Sequence, residues 1–171
     1  MRTPAMALVR RGTLFALGAL LSACASTPYA PTAVRPGDGR DAVLRIMGAP
    51  TATYTMPDGH ARLEYNRMPY GRQTFMIDLD AQGRVVKWEN VLDENHFAAI
   101  EPGMKPEDVL RLIGPPTYTG QYARPAPGIT WLYRFQTIQR CILFEISFDR
   151  LTGRVLEGDY PPDPGCPDEH W

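Results

Sequence analysis

Few residues in this 171-residue chain could carry covalent chemistry, and most of them lack the partners that chemistry needs. A cysteine acts as a nucleophile only as a thiolate with a base beside it, and Cys141 is better explained by a disulfide than by that role. His60, His96 and His170 are scattered, without the short ligand spacing of a metal site, and read as solvated surface residues. Ser147 sits in no Gly-x-Ser-x-Gly elbow. Asp78-Leu79-Asp80 followed by Gly83 carries only a fragment of a calcium loop, and Asp80 starting a hairpin turn is the simpler reading. The pairs Asp93-Glu94 and Glu107-Asp108 suit helix starts better than acid–base catalysis. The glycines sit at turns and helix stops rather than in a phosphate loop. The expectation is a protein that is not an enzyme, with no catalytic residues, no metal, no cofactor and no small-molecule substrate.

Cys24 is a different case. Arg2, Arg10 and Arg11 precede a short apolar run from Thr13 to Leu20. That run falls short of the ~20 apolar residues a spanning helix needs, and the pattern is that of a secretory signal peptide. It ends Leu21-Ser22-Ala23-Cys24, which resembles the bacterial lipobox. The resemblance implies cleavage before Cys24 and lipid attachment there, with enough acyl chains for stable anchoring. Ala25, in place of an aspartate, favours by the same analogy the outer membrane, facing the periplasm. The other reading is an ordinary signal cleaved near Ala23 or Ala25. Residues 26–33, rich in proline and small side chains, form an extended tether.

With Cys24 lipidated, Cys141 and Cys166 remain as a pair. In an oxidising compartment they form a disulfide closing a loop of about 25 residues, worth roughly 3–4 kcal/mol in the chain-entropy account; the alternative is two free thiols. The three arginines of the leader leave 15 basic against 19 acidic residues, a net charge of −4. Such a balance disfavours nucleic acid and polybasic adhesion to anionic lipid. The membrane contact expected is the lipid anchor alone.

The elements behind these residues are announced by a repeat. The stretch from Pro36 to Thr51 returns without a gap from Pro102 to Thr117, with Pro-Gly, Val-Leu-Arg, Gly and Pro-Thr in matching places. Two copies of one structural unit follow. Each contains a short helix, with Val43, Leu44, Ile46 and Met47 in one stripe and Val109, Leu110, Leu112 and Ile113 in the other. Asp38 is the expected N-cap of the first, Pro106 a first-turn residue of the second, and Gly48 and Gly114 the stops. Helices this short need a surface to pack on. Strand-like segments supply it: 51–56, 61–68, 72–79 and 84–92, then 117–124, 129–138, 141–148 and 154–160. Tyr65 matches Tyr133, Leu79-Asp80 matches Phe148-Asp149, and Gly83-Arg84-Val85 matches Gly153-Arg154-Val155. Short connections make neighbours antiparallel, and the fold class expected is α+β, two tandem units of short helices on antiparallel sheets. The divisions are a signal peptide (1–23), a lipidated tether (24–34), two helix-plus-sheet units (35–92 and 93–160) and a Pro-rich tail (161–171).

The run from Asp93 to Thr117, DENHFAAIEPGMKPEDVLRLIGPPT, together with the lipobox and the segment ISFDRLTGRV, resembles the SmpA/OmlA family of outer-membrane lipoproteins, the BamE type. There a short helix over 93–101, a Gly-Met turn, a second helix and a Gly-x-Pro stop precede the sheet. The same unit is similar to that of the tandem-repeat proteins that inhibit secreted β-lactamases. The family resemblance implies a protein-binding role in outer-membrane protein assembly or envelope integrity, with the barrel-assembly machinery or another envelope protein as partner. The second kinship implies an inhibitor that covers a secreted enzyme with a concave two-unit sheet. A sheet covered on one side leaves its other face for binding, and Tyr65, Trp131 and Tyr133 are the expected aromatic contacts there.

Overall fold

The computed structural model describes residues 29–68, 71–122, 128–137 and 142–165. The leader, Cys24, Cys141, Cys166 and His170 lie outside the described residues, and with them the lipidation and disulfide expectations.

Each copy of the repeated phrase starts a unit of the same design. In the first, helix α1 (Arg40–Met47) is followed by strands β1 (Ala52–Thr55), β2 (Ala61–Asn66), β3 (Thr74–Leu79) and β4 (Val85–Asn90). In the second, a single turn α2 (Glu94–Phe97) and helix α3 (Pro106–Ile113) precede β5 (Tyr118–Tyr122), β6 (Gly128–Arg134), β7 (Leu143–Asp149) and β8 (Val155–Asp159). The strands pair antiparallel in chain order and form two separate four-stranded sheets. The chain is thus α+β in two tandem units. A continuous concave sheet across both units does not exist among the described residues.

Each helix lays part of its expected stripe on one face of its own sheet, the front face; Leu44 and Leu110 fall outside it, Leu110 because it turns toward the first sheet. Val43 and Met47 meet Leu63, Tyr65, Phe75, Ile77 and Leu79 in one core. Val109 and Ile113 meet Tyr133, Phe144, Ile146 and Phe148 in the other, joined by Phe97. The alternation expected of β3 and β7 is what delivers these residues to one face.

The repeated residues make repeated bonds. The amide of Gly37 donates to Val85 O at 2.8 Å, and that of Gly103 to Val155 O at 2.8 Å. Arg84 returns a guanidinium to Gly37 O at 3.3 Å, and Arg154 to Gly103 O at 2.8 Å. These clamps tie the turn before each helix to the last strand of its sheet. Both units carry a bulge in that last pairing, between Asp78 and Leu79 and between Ser147 and Phe148. At the stops, Gly48 (φ 77°, ψ −164°) and Gly114 (φ 76°, ψ −172°) take a backbone region open essentially to glycine alone.

Two boundary expectations need correction. Asp38 does not cap α1: the N-cap is Gly39, and Asp38 Oδ2 accepts from the Arg35 amide at 2.8 Å. Its carbonyl is already held by Val85 N at 2.8 Å, so Asp38 closes the preceding turn. The helix expected over 93–101 is only Glu94–Phe97, capped by Asp93, whose Oδ1 accepts from His96 N at 3.0 Å.

The units are stacked through the back face of the first sheet. Met76, on the opposite side of β3 from the first core, is 1% exposed because it joins the second core. Arg62 on β2 grips Asp78 through two bonds of 2.6 and 2.8 Å and donates a third, at 3.0 Å, to the carbonyl of Arg111 near the end of α3. That carbonyl is among the last four of the helix, which have no intrahelical donor. The order of layers is therefore α1, first sheet, α3 with α2, second sheet.

Candidate functional site at the joint between the units

Where the Gly-Pro-Pro-Thr stop of α3 meets β1 and β2, the stacking leaves an open cleft of about 490 Å³. Met68, Leu110, Pro115 and Pro116 form its apolar walls; Thr51, Tyr54, Glu64 and Asn66 supply the polar groups. β1 and β2 place Tyr54 and Glu64 on the same back face of the sheet, since Ala52 pairs with Glu64 and Tyr54 with Arg62. Gly114 closes in on Glu64: a Cβ there would lie 3.2 Å from Glu64 Oε2 and 3.0 Å from Thr74 Cγ2.

Glu64 is the unusual residue. It is 1% exposed, yet its carboxylate is held by hydroxyls. Thr51 Oγ1 donates to Oε1 at 2.6 Å, and the Tyr54 hydroxyl donates to Oε2 at 2.6 Å. Burial, with this bond to a carboxylate, pushes the Tyr54 hydroxyl far above the usual tyrosine range and keeps it a donor. Thr51 Oγ1 also accepts from the Asn66 amide at 3.1 Å, so β1 and β2 are pinned at their shared end. Asn66 Nδ2 is buried without a hydrogen-bond partner. A buried donor left unmade costs about 1–3 kcal/mol. A carbonyl oxygen entering the cleft would relieve that cost.

The aromatic residues expected to bind are placed differently. Tyr65 and Tyr133 are 2% and 0% exposed, so neither forms part of a free sheet face. Each points to the helix side, and its hydroxyl donates to the carbonyl of the stop glycine, Tyr65 to Gly48 at 3.0 Å and Tyr133 to Gly114 at 3.1 Å. The physical reason is that a phenol carries apolar bulk for a core and one donor for an orphan helix-end carbonyl. Burial holds both hydroxyls above the ordinary range, Tyr133 strongly. Trp131 lies on the same helix-facing side, half-buried at the edge of the core, its ring 4.7 Å from Phe148.

The remaining expected groups settle into local structure. Asp80 Oδ1 accepts from the amides of Gln82 and Arg84 at 3.0 and 2.8 Å, the hairpin-turn role expected of it. His60 pairs with Asp58 at 3.0 Å; His96, half-buried rather than solvated, lies 2.8 Å from Asp93. Among the described residues no helix is long and apolar enough to cross a membrane.

Sequence reasoning missed the buried Glu64 and the way the start of the tail is held. Arg134 makes two bonds to Asp163, of 2.8 and 2.9 Å, and stacks over Tyr118 with its guanidinium 5.2 Å from the ring centre. The hydrogen bond from Arg134 keeps Asp163 below the usual carboxylate range. Leu143 N donates to Pro161 O at 2.9 Å. The start of the Pro-rich tail is thus a docked part of the second unit. A warning existed in the sequence: an arginine on β6 at the place where the first unit has Asn66.

Comparison of the chain with protein-family models and with curated protein sequences finds no match.

Proposed function

We propose that this chain is a non-enzymatic docking module, anchored in the outer membrane through a lipidated Cys24 and facing the periplasm. Its partner is a component of outer-membrane protein assembly or envelope integrity. The observation that carries the docking role is the cleft, where an unmet Asn66 donor and the Glu64 carboxylate lie between Met68, Pro115 and Pro116. Such a site suits an extended peptide: apolar side chains for the walls, a main-chain carbonyl for Asn66 and an amide for the carboxylate. The membrane and the assembly machinery come from the lipobox and family resemblance in the sequence.

The inhibitor reading depends on one concave surface spanning both units. The sheets are separate and α3 occupies the back of the first, so nothing here favours it.

A photo-crosslinker at Met68 in intact cells tests the proposal. Adducts with barrel-assembly components, lost when Asn66→Asp or Glu64→Gln perturbs the cleft, are the expected result. Crosslinks that are absent, or unchanged by those substitutions, would overturn it. Metabolic acyl labelling that survives Cys24→Ser would refute the anchor.

A further inference from the structure

The repeat shows on one sheet what the other sheet lacks. The back of the first sheet is covered by α3, through the Leu110–Arg111 side of the helix and its Gly-Pro-Pro-Thr stop. The second sheet has the equivalent back face, and among the described residues no helix lies on it. Tyr65 corresponds to Tyr133 and Leu79 to Phe148, so Glu64 corresponds to Leu132 and Met76 to Glu145. Glu64 and Met76 are each 1% exposed, whereas Leu132 and Glu145 are only half-buried.

The β7–β8 half of this face is acidic, while Tyr118 and Arg134, the latter paired with Asp163, stand on its β5–β6 half. Glu145 stands directly across from Asp159, and Glu157 follows on the same side of β8 opposite Ser147. Like charges facing each other across a strand pair are destabilising. Partial burial, then Asp159 and Glu157, raise the Glu145 carboxyl above its ordinary range.

The surface that would fit is present in the same chain. α1 repeats the docking side of α3 with one change, Leu44-Arg45 for Leu110-Arg111 and Gly48-Ala49-Pro50-Thr51 for Gly114-Pro115-Pro116-Thr117, Ala49 standing in place of Pro115. Among the described residues α1 is the outermost layer, and Arg40, Asp41 and Arg45 are exposed on it, with Arg45 in its last turn beside the stop. One end of the stack therefore offers the helix side already seen docked on a sheet. The other end offers a sheet back on which, among the described residues, no helix lies; the start of the tail covers its Arg134–Leu143 corner, and the carboxylates stand on its β7–β8 half.

We infer that the protein self-associates head to tail, the outer side of α1 in one copy seating on the back face of the β5–β8 sheet in a second copy. Leu44 packs over Leu132, and Arg45, the counterpart of Arg111, faces Glu145, Glu157 and Asp159. Such an interface joins two different patches, so it propagates into an open stack rather than closing into a symmetric dimer.

Sedimentation of the detergent-solubilised full chain over a concentration series tests this. The wild type is expected to form oligomers beyond the dimer, weakened by added salt. Arg45→Ala and Glu157→Ala are surface substitutions, and circular dichroism checks that both remain folded. Each alone should weaken association about tenfold, the effect of roughly 1.4 kcal/mol. Mixed in equal amounts, they should form heterodimers, because each copy still contributes one intact patch. A monomeric wild type, a closed dimer indifferent to both substitutions, or a mixture no more associated than its components would each overturn the inference. A foreign basic helix binding this face while the wild type stays monomeric would do so too.

Discussion

Tyr133→Phe separates a latch from a binding anchor. The substitution removes one oxygen and leaves the ring, so the aromatic packing on Phe144 is retained. What is lost is the 3.1 Å bond to Gly114 O, in a residue with no exposed surface. Gly114 is itself buried, so its carbonyl loses this donor where water has little access. An acceptor left unmade in such a place costs about 1–3 kcal/mol. Tyr65→Phe breaks the same bond in the first unit, but Gly48 is half-exposed and water can substitute for the hydroxyl. Its cost should therefore fall near 0.5–1.5 kcal/mol, roughly the net worth of an ordinary hydrogen bond. Urea unfolding of the two variants beside the wild type is the assay. With a slope of about 2 kcal/mol/M, Tyr133→Phe should lower the midpoint by roughly 1 M and Tyr65→Phe by about half that. Crosslinking from Met68 should be unchanged in both under native conditions. A midpoint unaffected by Tyr133→Phe, or a larger shift at Tyr65, would refute the latch. Loss of crosslinking without loss of stability would restore a binding role.

The tyrosines also set an alkaline limit. Their folded-state pKa values are raised by burial, so the folded chain retains protons that the unfolded chain releases. Their contribution is whole below about pH 10 and is lost as pH rises above it; Tyr133→Phe should flatten that fall in thermal melts at pH 9 to 11.5. Asp163 works in the opposite sense. Its pKa is depressed by Arg134, so the stability it adds is present above about pH 4 and lost on acidification. Asp163→Asn should cost about 1–3 kcal/mol at pH 7 and little at pH 2, and should expose the segment after Tyr160 to proteolysis at pH 7. Gly114→Ala pays for both a forbidden backbone region and contacts of 3.0 and 3.2 Å with the first sheet, so it should lose about 2–5 kcal/mol against about 1–3 for Gly48→Ala. Equal losses in calorimetry would show that the joint does not press on Gly114.

Much of the architecture was legible in the chain because it rests on local physics repeated twice. The period-two alternation of Phe75, Ile77 and Leu79, and of Phe144, Ile146 and Phe148, set strand and face together. Gly-x-Pro ended each helix, since no other residue enters that backbone region easily and proline forbids continuation. Even the pairing of Tyr65 with Tyr133 was visible as a repeat. Its meaning was not, because a tyrosine near a strand looks the same in sequence whether its face is covered by a helix or by water.

What only the tertiary structure decided was the fate of the two back faces. Met76 and Glu64 sit at positions that alternation assigns to the outside of the first sheet. They are buried because the second copy of the phrase folds against them, a contact made across about 50 residues by Arg62 and the last turn of α3. No local pattern encodes such a contact, since it depends on where a whole unit comes to rest. The sequence by itself determined two units and, through the alternation of β3 and β7, which residues of those strands face inward. The stacking decided which outer face became a joint with a cleft, and which, among the described residues, received no helix.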